Sequence, residues 1–217
     1  MKKGIIFDLD GVIVDTAGLH YLAWKDLANA LGFDFTKEQN EQFKGVSRVR
    51  CLEILLEIGD IDASQEQIDK WLVSKNEQYL TYISGMTETD ILPGVNKVLD
   101  YCDANDVPMV VGSASKNAKP ILKKVNLLHR FKGVVDGNAV TKAKPDPEVF
   151  IIAAEFLGLP PKDCVVFEDA IAGIEAAQNA NMASVGIGEK NVLTEADYVF
   201  RDLTEISTSF LDNLLKN

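Results

Sequence analysis

Gly4-Ile5-Ile6-Phe7-Asp8-Leu9-Asp10-Gly11 is the stretch on which the fold turns. A short apolar run closed by two acids and a glycine fits a strand buried on both faces of a parallel sheet, because such strands lack the alternation of half-exposed ones. The same character recurs in Pro108-Met109-Val110-Val111-Gly112, Cys164-Val165-Val166-Phe167 and Ala183-Ser184-Val185-Gly186-Ile187, with shorter runs at Gly133-Val134-Val135 and Tyr198-Val199-Phe200. Helical stripes lie between them: Val95, Val98, Leu99 and Cys102; Ala118, Ile121, Leu122 and Val125; Phe150, Ala154 and Leu157; Ile171, Ile174 and Ala177. Alternating short strands and helices predict an α/β core, a parallel sheet with helices on both faces. Asp146-Pro147 predicts an N-cap followed by proline at the first helical position, and Gly158 the end of that helix. Ile206, Phe210, Leu211 and Leu214 predict a closing C-terminal helix.

From Asp15 to Leu92 the pattern changes. Three helical stripes follow one another without a strand: Leu19, Leu22, Ala23, Leu27 and Leu31; Val49, Leu52, Leu55 and Leu56; Ile68, Leu72, Tyr79 and Ile83. Ser64 with Gln67 is a capping-box start for the third, and Thr87 to Gly94, with Pro93, reads as the return linker. The expected organisation is therefore a core of residues 1–14 and 93–217 with a helical domain, 15–92, inserted after the first strand.

The whole chain fits this picture. Its 217 residues are 47% hydrophobic and 25% charged, an ordinary globular composition, and its length is somewhat more than one domain of roughly 150 residues. With 22 Lys and Arg against 33 Asp and Glu the formal charge is −11, which argues against a nucleic-acid partner, since duplex affinity rests on clustered cations. Cys51, Cys102 and Cys164 are far apart, match no zinc spacing and are expected to be buried free thiols. MKKGIIFDLDG does not resemble a secretory signal, and no apolar run nears the roughly 20 residues of a membrane span. The expectation is a cytoplasmic protein with no membrane partner.

In an open parallel sheet, ligands bind beyond the carboxyl ends of the strands. Here those positions are polar. Asp8 and Asp10 are two apart, so the strand period places both on one side, and Gly11 allows a sharp turn. Ser113-Ala114-Ser115-Lys116-Asn117 follows the second main strand and leads into a helix whose first N–H groups are expected to form an anion site. Lys144 precedes the Pro147 helix, and Glu168 and Asp169 follow the next strand. This is a phosphoryl-transfer set: a carboxylate nucleophile, acids suited to an oxygen-liganded Mg²⁺, and a lysine and a hydroxyl to hold phosphoryl oxygens.

Asp8-Leu9-Asp10-Gly11, Ser113, Lys144-Pro145 and Glu168-Asp169, in that order, resemble the four motifs of the haloacid dehalogenase superfamily. The resemblance implies a Rossmann-like catalytic core with a helical cap. It makes Asp8 the nucleophile, Asp10 the general acid/base, Ser113 and Lys144 the phosphate holders, and Asp8, the Asp10 main-chain carbonyl, Glu168 and Asp169 the Mg²⁺ ligands. The dehalogenase branch lacks the second aspartate that stands here as Asp10. A receiver module, another user of aspartyl-phosphate, is disfavoured because its phosphorylated Asp follows the third strand.

Within the superfamily, Asp8 to Ala17, His20, Ala23-Trp24-Lys25, Lys44-Gly45-Val46-Ser47-Arg48, Lys75-Asn76 and Ser113 to Asn117 resemble the β-phosphoglucomutase family. This implies interconversion of β-glucose 1-phosphate and glucose 6-phosphate, with β-glucose 1,6-bisphosphate as primer and intermediate, by a monomer. Thr16, His20, Trp24, Gly45, Arg48, Lys75, Ala114, Ser115, Lys116 and Asn117 are the substrate-binding residues so implied. Arg48 with Ser115, Lys116 and Asn117 would clamp the phosphate that is not reacting, and arginine's fork suits phosphate oxygens. Lys75 has independent support, since it occupies the apolar stripe of its helix, where a structural helix would carry a hydrophobe. The alternative reading is a sugar-phosphate phosphatase with the same core chemistry.

Overall fold

Six apolar runs become six strands: β1 (Gly4–Phe7), β2 (Met109–Gly112), β3 (Gly133–Val135), β4 (Cys164–Glu168), β5 (Ala183–Ile187) and β6 (Tyr198–Phe200). They form one sheet in the order β3-β2-β1-β4-β5-β6, with all neighbours parallel. The computed structural model describes residues 3–43 and 46–216; Gly45, one of the expected substrate-binding residues, lies outside them. Ile5 is in register with Met109 on one side and Val165 on the other, so β1 lies inside the sheet. The strand order reverses between β1 and β4, which makes their carboxyl ends the topological switch point.

The helices are α1 (Ala17–Ala30), α2 (Lys37–Asn40), α3 (Arg48–Ile58), α4 (Gln65–Ile83), α5 (Val95–Ala104), α6 (Ala118–Lys124), α7 (Glu148–Leu157), α8 (Ile171–Asn179) and α9 (Thr208–Lys216). Val149, Phe150, Ala153, Ala154 and Leu157 of α7 pack with Ala176 and Ala177 of α8 against Ile6, Val110 and Val166. Each large aliphatic side chain buried this way contributes about 1.5–3 kcal/mol. Among the described residues no helix is long and apolar enough to cross a membrane.

One local reading shifts. Helix α7 begins at Glu148 rather than Pro147, yet Asp146 still caps it, its Oδ1 accepting the Glu148 N–H at 3.0 Å. The loop after β2 leads into α6, a helix of seven residues with Asn117 at its N-cap. Gly158 closes α7 at φ +72° as expected. The three cysteines are free and buried; burial pushes the thiols of Cys51 and Cys102 up to about 12 and that of Cys164 to about 11.

The chain forms two compact units, Met1–Asp15 with Thr87–Asn217, and Thr16–Met86. Ile91 and Leu92, read from the sequence as part of the insertion, belong to the first unit. Val14 bridges Ile91, and the Leu92 N–H donates to the Ile13 carbonyl at 2.9 Å. The chain re-enters the first unit at Thr87, the start of the expected return linker. The helical unit has its own core of Trp24, Leu27, Ala28, Phe35, Phe43, Cys51, Leu52, Leu55 and Leu56. Leu22 and Val49, counted in the expected stripes, are instead exposed. Ser64 and Gln67 form the expected capping box on α4, and Thr36 with Gln39 forms a second on α2.

Candidate active site

Asp8 leaves β1 and Glu168 ends β4, so the two neighbouring strands deliver two carboxylates to one place. Lys144 joins them. Its Nζ donates to Asp8 Oδ1 at 2.7 Å, Glu168 Oε2 at 2.9 Å and the Gly112 carbonyl at 3.3 Å, and lies 4.8 Å from the centre of the Phe150 ring. Asp8, Lys144 and Glu168 are all buried. Charges that have left water persist only when paired, and burial alone would lower the Lys144 pKa; Asp8 and Glu168 overcome this and raise it. Burial and the Asp8 and Asp169 carboxylates push Glu168 up to about 8 against the pull of Lys144. The Lys144-Pro145 peptide that precedes α7 is cis.

Carboxylate oxygens of Asp8, Glu168 and Asp169 lie within 4.8 Å of one another. Three carboxyl groups gathered about one lysine form an all-oxygen donor set that fits a hard divalent cation such as Mg²⁺, whose charge would favour the ionised form of Glu168. Two glycines make room for the Glu168 and Asp169 carboxyls. A Cβ on Gly173, in the first turn of α8, would overlap the Glu168 carboxyl, and one on Gly11, at φ +79°, would overlap that of Asp169. The Ala170 N–H holds the other Glu168 oxygen at 3.2 Å.

Beside this cluster, the loop after β2 is wired internally. The buried Ser113 donates its N–H to the Val135 carbonyl at 2.9 Å, and its Oγ accepts the Ser115 N–H at 3.0 Å. Ser115 Oγ in turn accepts the Asn117 N–H at 3.2 Å. Ala114 and Ser115 are half-buried, Asn117 is buried, and Lys116 is exposed. Asp10 is half-buried just past β1.

The helical unit carries a second polar cluster. Lys75 is 2% exposed, confirming a cation within the apolar stripe of α4. Its Nζ lies 2.9 Å from His20 Nδ1, 4.5 Å from the centre of the Trp24 ring and 4.9 Å from that of Tyr79. An ammonium can only donate, so His20 Nδ1 accepts and its proton sits on Nε2. Burial, then Lys75 and Arg48, hold the His20 pKa well below its usual 6.5. His20 stacks on Tyr79 with ring centres 4.0 Å apart. The half-buried Arg48 opens α3, and burial lowers its pKa. Thr16 is fully buried at the start of α1; its carbonyl accepts the His20 N–H at 2.9 Å, while its hydroxyl has no hydrogen-bond partner among the described residues. Trp24 lies in the unit's core, edge-on to Phe43, and meets the cluster through Lys75.

Sequence reasoning missed Tyr79 as part of this cluster. Its position four residues after Lys75 was the available signal, but on an apolar stripe it read as packing. The supporting glycine Gly173 carried no signal without a partner in view. His129 is exposed, as an ordinary surface histidine would be.

A family model described as haloacid dehalogenase-like hydrolase matches residues 2–181. The chain belongs to the haloacid dehalogenase-like hydrolase family. Among proteins similar to this family member is a β-phosphoglucomutase of Bacillus subtilis, 37% identical, the match covering 96% of this chain and 93% of the relative. A crystal structure of β-phosphoglucomutase from Clostridium difficile superposes with a TM-score of 0.94 at 36% identity, covering 100% of this chain and 98% of that one. A fructose-1-phosphate phosphatase of Escherichia coli is 30% identical over 85% of this chain and 95% of its own length. The parallel core with its helical insertion is thus the haloacid dehalogenase architecture, shared by mutases and phosphatases.

Proposed function

We propose that the protein is a β-phosphoglucomutase, moving a phosphoryl group between the 1- and 6-oxygens of glucose through β-glucose 1,6-bisphosphate. The carrying observation is Arg48, a half-buried cation that opens α3 in the helical unit, beside the Lys75 and His20 pair. A hydrolase needs cations for one phosphate. A mutase must also hold the phosphate that is not reacting.

In this reading an Asp8 oxygen attacks phosphorus, forming an Asp8–phosphate bond as the donor's P–O bond breaks, and the leaving oxygen takes a proton from Asp10. The step reverses with the other sugar hydroxyl, which gives its proton back to Asp10 as the bond to Asp8 breaks. Lys144 and Ser113 hold phosphoryl oxygens and orient the group for in-line attack. Asp8, the Asp10 main-chain carbonyl, Glu168 and Asp169 would hold Mg²⁺, which when bound neutralises charge between carboxylate and phosphate. Arg48 and the Ser115, Lys116 and Asn117 loop are assigned to the idle phosphate, with Ala114 and Gly45 as flanking contacts, Trp24 behind Lys75, and Thr16, His20 and Lys75 toward the sugar.

The test supplies β-glucose 1-phosphate, Mg²⁺ and β-glucose 1,6-bisphosphate to the purified protein and follows products. Glucose 6-phosphate should accumulate. The similarity to a fructose-1-phosphate phosphatase supports the second reading, hydrolysis of a sugar phosphate, and free phosphate appearing as fast as substrate vanishes would establish it instead.

A further inference from the structure

The loop assigned to the idle phosphate is held from outside, by the turn that follows β3. Gly137 donates its N–H to the Ser115 carbonyl at 3.3 Å, and Asn138 Nδ2 donates to the Lys116 carbonyl at 3.0 Å. Two consecutive carbonyls of the loop are thus tied to two consecutive residues of the turn. In a planar trans peptide the carbonyl and the following N–H point opposite ways. Fixing the Ser115 carbonyl on Gly137 therefore turns the Lys116 N–H away from the turn, and fixing the Lys116 carbonyl sets the peptide whose N–H Asn117 gives to Ser115 Oγ.

The turn itself is built to hold still. Asp136 is 6% exposed, and its Oδ1 accepts the Asn138 N–H at 2.9 Å while its carbonyl accepts the Ala139 N–H at 2.9 Å. Position 137 admits only glycine at this approach: a Cβ there would collide with the Ala114 carbonyl oxygen and come within 3.0 Å of Lys116 Cγ. One strand earlier in the chain, Ser113 is already tied to Val135. The contacts between the two segments therefore run without a break from Ser113 to Lys116.

We infer that Asp136, Gly137 and Asn138 are positioning residues for binding of the second phosphate, acting through the Ser115, Lys116 and Asn117 backbone without touching the substrate. The inference rests on the proposed reading of that loop as a phosphate holder. It does not depend on whether the phosphoryl group ends on a sugar or on water.

Two donors that both phosphorylate Asp8 separate the roles. β-Glucose 1,6-bisphosphate carries a second phosphate, and acetyl phosphate does not. In Asn138→Ala the KM for the bisphosphate should rise about three- to tenfold, the loss of one hydrogen bond, while kcat and acetyl phosphate turnover stay within about twofold. Gly137→Ala should raise that KM further, with acetyl phosphate again spared. An unchanged KM for the bisphosphate in Asn138→Ala, or an equal loss with both donors, overturns the inference. Wild-type protein that consumes both donors but makes no glucose 6-phosphate would defeat the mutase reading while leaving this comparison intact.

Discussion

Lys144 sits between Asp8 and Glu168, so each of the three depends on the charge of the others. Asp8→Asn keeps the shape and removes the nucleophile. Phosphoryl transfer from acetyl phosphate and from sugar phosphates should both vanish, and residual turnover of either in a discontinuous phosphate assay would rule out the covalent route. His20 yields a pH prediction. The folded protein holds it well below 6.5, whereas the unfolded chain takes up a proton near about 6.5. Between those values the unfolded state binds more protons, so stability rises with pH. The contribution is complete above about pH 6.5 and is lost as pH falls through the lower folded value. Thermal melts between pH 7.5 and 5 should fall less steeply in His20→Asn than in wild type; identical slopes would acquit His20. At this scale the core residues were legible because strand ends in a parallel sheet are where polar residues need a reason. Lys75 was legible because a cation interrupts an apolar stripe. Tyr79 was not, since its role comes from stacking on a residue of another helix.

Helix α8 shows how an element serves the site by what it omits. An alanine in a helix interior is usually better than glycine by about 1 kcal/mol, so Gly173→Ala would stabilise an isolated helix. Here the added methyl meets Glu168, a side chain 1% exposed and tied to Lys144. Overpacking of this kind costs about 1–3 kcal/mol, which outweighs the propensity gain. The variant should melt at lower temperature and lose more than about tenfold in Mg²⁺ affinity by calorimetry, because the displaced carboxylate is one of three donors. A higher melting temperature with unchanged Mg²⁺ binding would show that Glu168 yields freely. Strands β1, β2 and β4 could be read directly, since they are buried along their whole length and burial on both faces selects apolar residues. Helix α2 could not, because Lys37–Asn40 has no buried residue and is set by the Thr36 capping box alone. The exposure of Leu22 followed from Trp24 and Ala28 taking the inner face of α1, which a stripe counted on leucines overlooks.

Across the whole molecule, a charge of −11 opposes the approach of a phosphorylated substrate, but the charge is unevenly spread. From Ser113 to Lys144 the only acid is Asp136, while Lys116, Lys119, Lys123, Lys124 and Lys142 are exposed. A basic strip in an acidic protein raises the local concentration of anions and their association rate. Lys119→Gln combined with Lys123→Gln should lower kcat/KM for sugar phosphates severalfold at low salt with kcat unchanged. The gap should close as salt shortens the screening distance to about 8 Å near 0.15 M. The same loss from Lys162→Gln, at an exposed site outside the strip, would mean that net charge alone matters. The bridge between Val14 and Ile91 has a consequence of a different kind. The chain leaves and re-enters the first unit at paired positions, so the inserted helices form a side branch and the sheet keeps the same wiring whatever the branch contains. A change in the length or sequence of the inserted helices can then leave the strand pairing of the sheet, and the carboxylates at its strand ends, untouched.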